Sequence, residues 1–261
     1  METSSDILSN NISLFWPSFV GVTLIVFVHL SAQHFRFMHQ PGNPWVPASA
    51  GIALAYVFMD IFPHLAKMQS KLSTIIVSDA YGSPTHITYL VCLIGFAVYL
   101  GVFLSVRKYL ASGAVDEISF DSAPVPIKLV YTSLVAYSFL IGYLLSEQTT
   151  HRPEPVLIFG AAMAMHFAGI DGLVHEHIPN TYDRSVRFVF VASAYIGWIT
   201  GVVLEISDAT LALNYAFLAG GLIVITTVLE LPQIRNRRQY GAFIVGAGVF
   251  SALILAIERF G

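Results

Sequence analysis

Charged residues are scarce in this chain. Only 11% of its 261 residues are charged, whereas 56% are hydrophobic and the mean hydropathy is +0.70. A soluble domain carries about 25% charged residues, so the deficit excludes an ordinary soluble domain and predicts that a lipid bilayer surrounds most of the chain. The net charge of −3 is too balanced to indicate an anionic partner, and we expect no nucleic-acid partner.

Cysteine and the common catalytic motifs are also missing. Cys92 is the single cysteine, which excludes an intrachain disulfide, a thiolate metal cluster and a CxxC redox pair. The sequence contains no phosphate-binding glycine loop, no GxSxG motif and no HExxH motif. None of the four lysines lies deep in a predicted helix, which excludes a retinal Schiff base. We therefore predict that the chain is not an enzyme.

Long apolar runs dominate what is present. About 20 apolar residues span the hydrocarbon layer as a helix, and these runs lack the alternating pattern of a membrane barrel. We predict an all-α membrane protein, with residues 1–261 forming one polytopic domain that folds as an eight-helix transmembrane bundle. The predicted helices are 13–33, 47–66, 87–106, 129–146, 155–174, 188–204, 211–229 and 241–257.

The distribution of basic residues predicts the orientation of this bundle. With the N-terminus outside, the inner loops carry nine Lys and Arg residues and the outer segments carry four. Cytoplasmic loops carry an excess of these residues. Both termini are therefore predicted on the outer side of a multi-pass protein in a plasma membrane or a bacterial inner membrane.

A few ionisable residues fall inside the predicted helices. Asp60 and Asp171 are the only formal charges well inside them, and His29, His64 and His166 join them. Such groups are costly at membrane depth unless they face a partner or a wet cavity, so each is a functional candidate. His29 and His64 lie near helix ends, where an imidazole can instead reach interfacial water.

The fifth predicted helix is the richest in candidate ligands. It carries His166 and Asp171 and ends in His175, Glu176 and His177. Imidazole and carboxylate together suit a borderline divalent ion such as Zn²⁺. The terminal trio could equally be a solvated helix end. Gly160, Ala164, Ala168 and Gly172 recur every four residues on this helix, a stripe that favours close helix packing and would serve a homodimer as readily as internal packing.

The second predicted helix carries a shorter candidate motif. Asp60 and His64 are four residues apart and share a helix face, with Pro63 between them. Proline inside a helix removes one backbone hydrogen bond, and transporters place binding groups at such breaks. A plain packing kink is the alternative. Glu230, just before Pro232 in the seventh predicted helix, is a weaker candidate.

These features together resemble the ZIP family of divalent-metal transporters. The resemblance is carried by the second, seventh and eighth predicted helices, in the segments Gly51 to His64, Ala219 to Pro232 and Gln239 to Glu258. It implies eight helices, both termini outside, and zinc or iron as cargo. No resident cofactor is expected, so Zn²⁺ enters as cargo or bound ion, and the lipid bilayer and a divalent metal ion are the expected partners.

The chain departs from the ZIP pattern at the metal ligands. ZIP fourth helices carry a His and, just before a glycine, an acidic residue, and here Tyr137 and Ile141 stand at these positions. ZIP fifth helices carry a His followed by an acid four residues later. Here His166 is followed by Asp171 five residues later. Compared with the ZIP position, one residue earlier, the carboxylate is rotated by about 100° around the helix. The resemblance therefore implies a reduced metal site.

Two functions follow from this resemblance. The first is a divergent transporter in which His166 and Asp171 form the core of the site, Asp60, His64 or water close it, and the trio His175, Glu176 and His177 forms an inner exit relay. The second is a non-transporting relative that acts as a membrane sensor or assembly partner, which the loss of ligands at Tyr137 and Ile141 favours. An intramembrane enzyme with a His/Asp metal site is a third alternative, but it lacks a candidate nucleophile.

Overall fold

The computed structural model describes residues 4–31, 34, 43–75, 86–111, 122–147, 153–177, 184–204 and 206–260. Across these residues the long elements are all α-helical, as the sequence predicted. Six are continuous: α1 (Ser4–Ser31), α3 (Ile87–Ala111), α4 (Val125–Glu147), α5 (Pro153–His177), α6 (Arg184–Val203) and α8 (Arg237–Phe260).

The other two helices, α2 and α7, each contain a π-helical segment. Helix α2 consists of Trp45–Tyr56, the π segment Val57–Ile61 and Phe62–Ile75. Helix α7 consists of Asp208–Ile225, the π segment Thr226–Glu230 and a final 3-10 turn, Leu231–Gln233.

Prolines explain where the two π segments lie. Pro63 and Pro232 each follow the end of a π segment by two residues. A proline ring clashes with the carbonyl four residues earlier and cannot donate a hydrogen bond to it. That carbonyl belongs to Met59 in α2 and to Val228 in α7, so a widened turn there relieves the clash. Segments of this kind are rare and frequently mark functional sites.

Helices α2 to α8 are each long and apolar enough to cross a membrane. In α1 the apolar part that the structure describes, Phe15–Ser31, is shorter than these spans. Large apolar side chains such as Phe27, Leu93 and Val249 point outward and are 60 to 65% exposed. An outward apolar surface of this kind suits lipid contact, which makes the chain a multi-pass membrane protein.

Several helices extend beyond their predicted bounds, by up to nine residues. Helix α1 begins at Ser4 rather than at residue 13, and α2 continues to Ile75 rather than ending at residue 66. Helix α7 extends past residue 229 to Gln233, which places Glu230 inside it. The prediction followed apolar runs alone, whereas polar residues continue a helix wherever backbone hydrogen bonding allows it.

The helices pack in a symmetric pattern. The main contacts are α1 with α5, α4 with α6, α2 with α8, and α3 with α7. The same four pairs result when α1 is exchanged with α6, α2 with α7, α3 with α8, and α4 with α5. The two π segments are equivalent under that exchange, because one lies in α2 and the other in α7.

Glycines allow the helices of the pairs α2–α8 and α3–α7 to approach each other closely. A Cβ on Gly51 of α2 would strike the Phe243 carbonyl of α8, and one on Gly220 of α7 would strike the Cys92 carbonyl of α3. The predicted small-residue stripe also serves internal packing, because a Cβ on Gly160 would lie 2.6 Å from the Gly21 Cα of α1. Contacts this close bring the helix backbones together and fix the depth of their polar side chains.

Candidate functional site

Two buried pairs of histidine and carboxylate lie in the interior of the bundle, and α5 contributes one residue to each. His166 of α5 pairs with Glu230 of α7, and Asp171 of α5 pairs with His29 of α1. Exposure of these four side chains does not exceed 3%. Ionisable groups buried this deeply need hydrogen-bonding partners, so both pairs are candidates for function.

The first pair joins α5 to the π segment of α7. His166 Nδ1 lies 3.1 Å from Glu230 Oε1, and both side chains are fully buried. Gly169, less than one turn after His166, makes room for the carboxylate. A Cβ at this position would lie 2.5 Å from Glu230 Oε1 and 3.2 Å from Ser49 Oγ of α2. A glycine on α5 thus sets how closely the Glu230 carboxylate approaches.

Two hydroxyl groups lie beside this pair. Thr226 is one turn before Glu230 in the same π segment and is completely buried. Tyr137 of α4 is also completely buried, and its ring centroid lies 6.2 Å from that of His166. We refer to Tyr137, His166, Thr226 and Glu230 as the polar cluster.

Each member of the polar cluster has one buried polar atom without a hydrogen-bond partner among the described residues. These atoms are Tyr137 Oη, His166 Nε2, Thr226 Oγ1 and Glu230 Oε2. An unsatisfied buried polar group costs about 1–3 kcal/mol, and native structures contain few of them. Four at one place therefore indicate a site that a polar ligand could complete.

The second pair is a closed hydrogen-bonded arrangement. His29 Nδ1 lies 2.7 Å from Asp171 Oδ2, and His29 Nε2 lies 3.4 Å from Ser138 Oγ of α4. The Ser138 hydroxyl also donates to the Phe190 carbonyl of α6 at 3.3 Å. The His29 ring stacks on the Phe190 ring at 5.3 Å between centroids. Four helices therefore meet at His29.

Phe167 lies between the two pairs. Its ring centroid is 4.6 Å from that of His29 and 6.4 Å from that of His166. His166 and Asp171 point to different partners, since five residues rotate a side chain by about 140° around the helix. The two residues that the sequence places together thus belong to adjacent arrangements separated by an aromatic ring.

The other predicted ligands lie elsewhere. Asp60 is partly exposed in the π segment of α2 and accepts a hydrogen bond from Tyr56, near the charges of His64, Glu258 and Lys67. His64 is exposed, and its ring lies 5.0 Å from that of Tyr215. Helix α5 includes the trio His175, Glu176 and His177, whose side chains lie outside the described part of the structure.

The sequence alone did not reveal the partners of His166 and Asp171. Glu230 ranked as a weaker candidate, His29 as a candidate that could equally reach interfacial water, and Tyr137 as a lost ligand. The signal for Glu230 was present in the sequence, because an acidic residue precedes a proline by two or three positions in both α2 and α7. Thr226 carried no such signal, since threonine is common in apolar helices.

The polar cluster supplies two strong metal ligands, one imidazole and one carboxylate. Among the described residues, no group of three or more His, Cys, Asp or Glu side chains is placed to hold a metal ion. Within the described part of the chain, the hydroxyls of Tyr137 and Thr226 could supply further ligands, as could water.

Comparisons with known proteins give no assignment. No protein-family model, no curated protein and no solved structure matches the chain. Function is therefore inferred from the chemistry of the site.

Proposed function

We propose that this chain is a membrane transporter for a divalent metal cation of borderline hardness, such as Zn²⁺, as the resemblance to ZIP transporters implies. The observation that carries the proposal is the fully buried pair of His166 and Glu230, together with the neighbouring hydroxyls of Tyr137 and Thr226. Each of these four residues has one polar atom without a hydrogen-bond partner among the described residues. Intramembrane ionisable groups that face the bundle interior commonly mark ion pathways.

The spacing of the pair supports cation binding. Zn²⁺ binds histidine nitrogen and carboxylate oxygen at about 2.0–2.2 Å, and two such ligands at a tetrahedral angle are about 3.4 Å apart. His166 Nδ1 and Glu230 Oε1 are 3.1 Å apart, an ordinary hydrogen-bond length. A shift of a few tenths of an ångström, with the ring proton moved from Nδ1 to Nε2, would let both bind one ion. Asp171 and His29, at 2.7 Å, are spaced instead for a short charge-assisted hydrogen bond.

The small number of strong ligands suits transport. A cation held by one imidazole, one carboxylate and weaker hydroxyl or water oxygens can leave its site, whereas structural zinc sites enclose the ion with four strong ligands. The unpartnered Oγ1 of Thr226 and Oη of Tyr137 are the oxygen atoms available for this weaker binding.

The paired helix breaks support the same function. Transporters bind substrate where discontinuous helices occupy corresponding positions in two inverted repeats. With eight crossings and both termini outside, α2 and α7 run in opposite directions. Asp60 then lies in the break nearer the outer surface and Glu230 in the break nearer the inner one. We propose that Asp60 and His64 attract the ion outside and that His175, Glu176 and His177 receive it inside.

Zinc uptake into proteoliposomes tests this function. We expect the wild-type chain to move Zn²⁺ down its gradient, and His166→Ala and Glu230→Gln to reduce uptake by at least tenfold. Glu154→Gln is the matched control, because Glu154 is exposed at the start of α5. A folded wild-type chain that moves no zinc would contradict the proposal and favour a membrane sensor or assembly partner.

A further inference from the structure

We propose that a cavity between the end of α1 and the start of α6 binds the headgroup of an anionic phospholipid. The described residues that line this cavity are Leu30 of α1 and Arg184, Arg187 and Phe188 of α6, and its volume is about 370 Å³. Ligand pockets commonly have volumes of about 300–1,000 Å³. The site lies apart from the polar cluster, so the inference does not depend on cation transport.

The three α6 residues of this cavity share one face of the helix. Arg184, Arg187 and Phe188 occupy positions i, i+3 and i+4, which are neighbours on a helix surface. The guanidinium carbon of Arg184 lies over the Phe188 ring, 5.6 Å from its centroid. This cation–π contact anchors the Arg184 side chain beside the cavity. The arrangement therefore places two guanidinium groups at one opening.

The charge of this cavity favours an anion. Two like charges on neighbouring helix positions repel each other, and no acidic side chain is among the described residues that line the cavity. Arginine presents five N–H donors in a rigid fork that matches phosphate oxygens. A guanidinium that keeps one contact with the protein can therefore still donate hydrogen bonds to a phosphate.

The position of the cavity in the bundle favours a lipid phosphate. Basic pockets between transmembrane helices on the cytoplasmic side bind anionic lipid headgroups. The excess of basic residues predicts that the end of α1 and the start of α6 lie on that side. The cytoplasmic leaflet carries the anionic lipids, so the expected ligand is present where the cavity opens.

An exposed apolar stripe continues from the cavity along α6. Leu30 is 42% exposed and Phe188 is 49% exposed. Ala192, Ile196 and Ile199 follow Phe188 on the same helix face and are also exposed. From Phe188 to Ile199 the helix rises by about 16 Å, close to one leaflet, which is half of a hydrocarbon layer of about 30 Å. An acyl chain can follow this stripe while its phosphate lies at the arginines.

A second arginine pair provides a matched control. Arg237 and Arg238 begin α8, are exposed, and lie on the same predicted side of the membrane. Neither is among the described residues that line the cavity. Arginines at helix ends can simply reach interfacial water, and this pair represents that behaviour. Removing either pair changes the net charge by the same amount.

Thermal unfolding with added lipid tests the inference. A ligand that bridges α1 and α6 binds the folded bundle alone and raises its Tm. In a neutral detergent we expect dioleoyl phosphatidylglycerol to raise the Tm of the wild-type chain in a saturable way. Dioleoyl phosphatidylcholine and inorganic phosphate should not do so. The double variant Arg184→Gln/Arg187→Gln should weaken the apparent affinity for phosphatidylglycerol at least tenfold, and Arg237→Gln/Arg238→Gln should change it less than twofold.

A single variant covers the case in which the first double variant does not fold. Arg184 is exposed, so Arg184→Gln should leave the unliganded Tm unchanged and weaken the affinity at least threefold. An unchanged affinity in this variant would overturn the proposal.

The remaining outcomes also decide between the possible ligands. Equal stabilisation by phosphatidylcholine, or equal losses in the two double variants, would overturn the headgroup site and reduce the effect to general lipid contact or net charge. Full stabilisation by inorganic phosphate alone would assign the cavity to a soluble phosphorylated ligand and overturn the lipid proposal. None of these results bears on zinc transport, so failure of this inference is distinguishable from failure of the proposed function.

Discussion

Gly169→Ala separates binding from stability at the proposed cation site. A Cβ at residue 169 would lie 2.5 Å from Glu230 Oε1, whereas ordinary van der Waals contact begins at 3.4 Å. To restore ordinary contact the carboxylate must retreat by about 0.9 Å. A displacement of this size is nearly half of a metal–oxygen bond of about 2.0–2.2 Å, so Glu230 would lose its position beside His166.

The free energy of unfolding should change much less than the affinity for Zn²⁺. The atom in the way is the end of a flexible side chain rather than backbone, and alanine is favoured over glycine within a helix by about 1 kcal/mol. This gain is offset by the loss of the buried His166–Glu230 hydrogen bond, which is worth about 0.5–1.5 kcal/mol, so we expect the free energy of unfolding to stay about the same. The affinity for Zn²⁺ should fall at least tenfold, which at saturating zinc removes about 1.4 kcal/mol of ligand-induced stabilisation.

Thermal unfolding in detergent, with and without Zn²⁺, measures both quantities. Gly248→Ala is the control, because a Cβ there meets no atom within 4 Å, and its zinc-induced increase in Tm should equal that of wild type. If Gly169→Ala retained the full zinc response and full uptake, Glu230 would not be a ligand. If it failed to fold, the close approach of α5 and α7 would be structural.

Three further predictions follow from particular contacts. Thr226→Val removes a buried hydroxyl that has no partner among the described residues, so the unfolding free energy should rise by about 1 kcal/mol. The zinc-induced increase in Tm should shrink. A loss of stability would show that the hydroxyl is already bonded. Tyr137→Phe should behave in the same way for the same reason, and unchanged zinc affinity would remove Tyr137 from the site. Gly220→Ala drives a Cβ into the Cys92 carbonyl and should destabilise the bundle by about 1–3 kcal/mol. Gly101→Ala is the control, because a Cβ there meets no atom within 4 Å. Equal chemical unfolding midpoints for the two variants would contradict the close packing of α3 and α7.

Much of the fold could be predicted because membrane burial depends on composition. Every predicted helix overlaps a helix of the structure, since an apolar run of about 20 residues has few alternatives in lipid. Helix ends were less predictable, because polar residues such as Lys67 and Gln69 continue α2 beyond its apolar part. The π segments escaped prediction, although Pro63 and Pro232 mark both of them.

The site was only partly predictable. Burying the ionisable side chains of His166 and Asp171 costs free energy, which identified both residues as candidates, and both are buried in the structure. Their partners lie far away in sequence, at Glu230 and His29, so helical periodicity within α5 could not find them. Pairing His166 with Asp171 was natural from their proximity in sequence, but their rotation around α5 directs them to different helices. Identifying partners required the packing of α5 against α1 and α7.

Zinc binding to the purified chain tests the central claim most directly, namely that His166 and Glu230 hold one cation between α5 and α7. Metal analysis combined with X-ray absorption at the zinc edge should find one zinc per chain, with imidazole nitrogen and oxygen ligands at about 2.0–2.2 Å. His166→Ala and Glu230→Gln should each lose that zinc. A folded wild-type chain without zinc, or variants that retain it with unchanged coordination, would contradict the account.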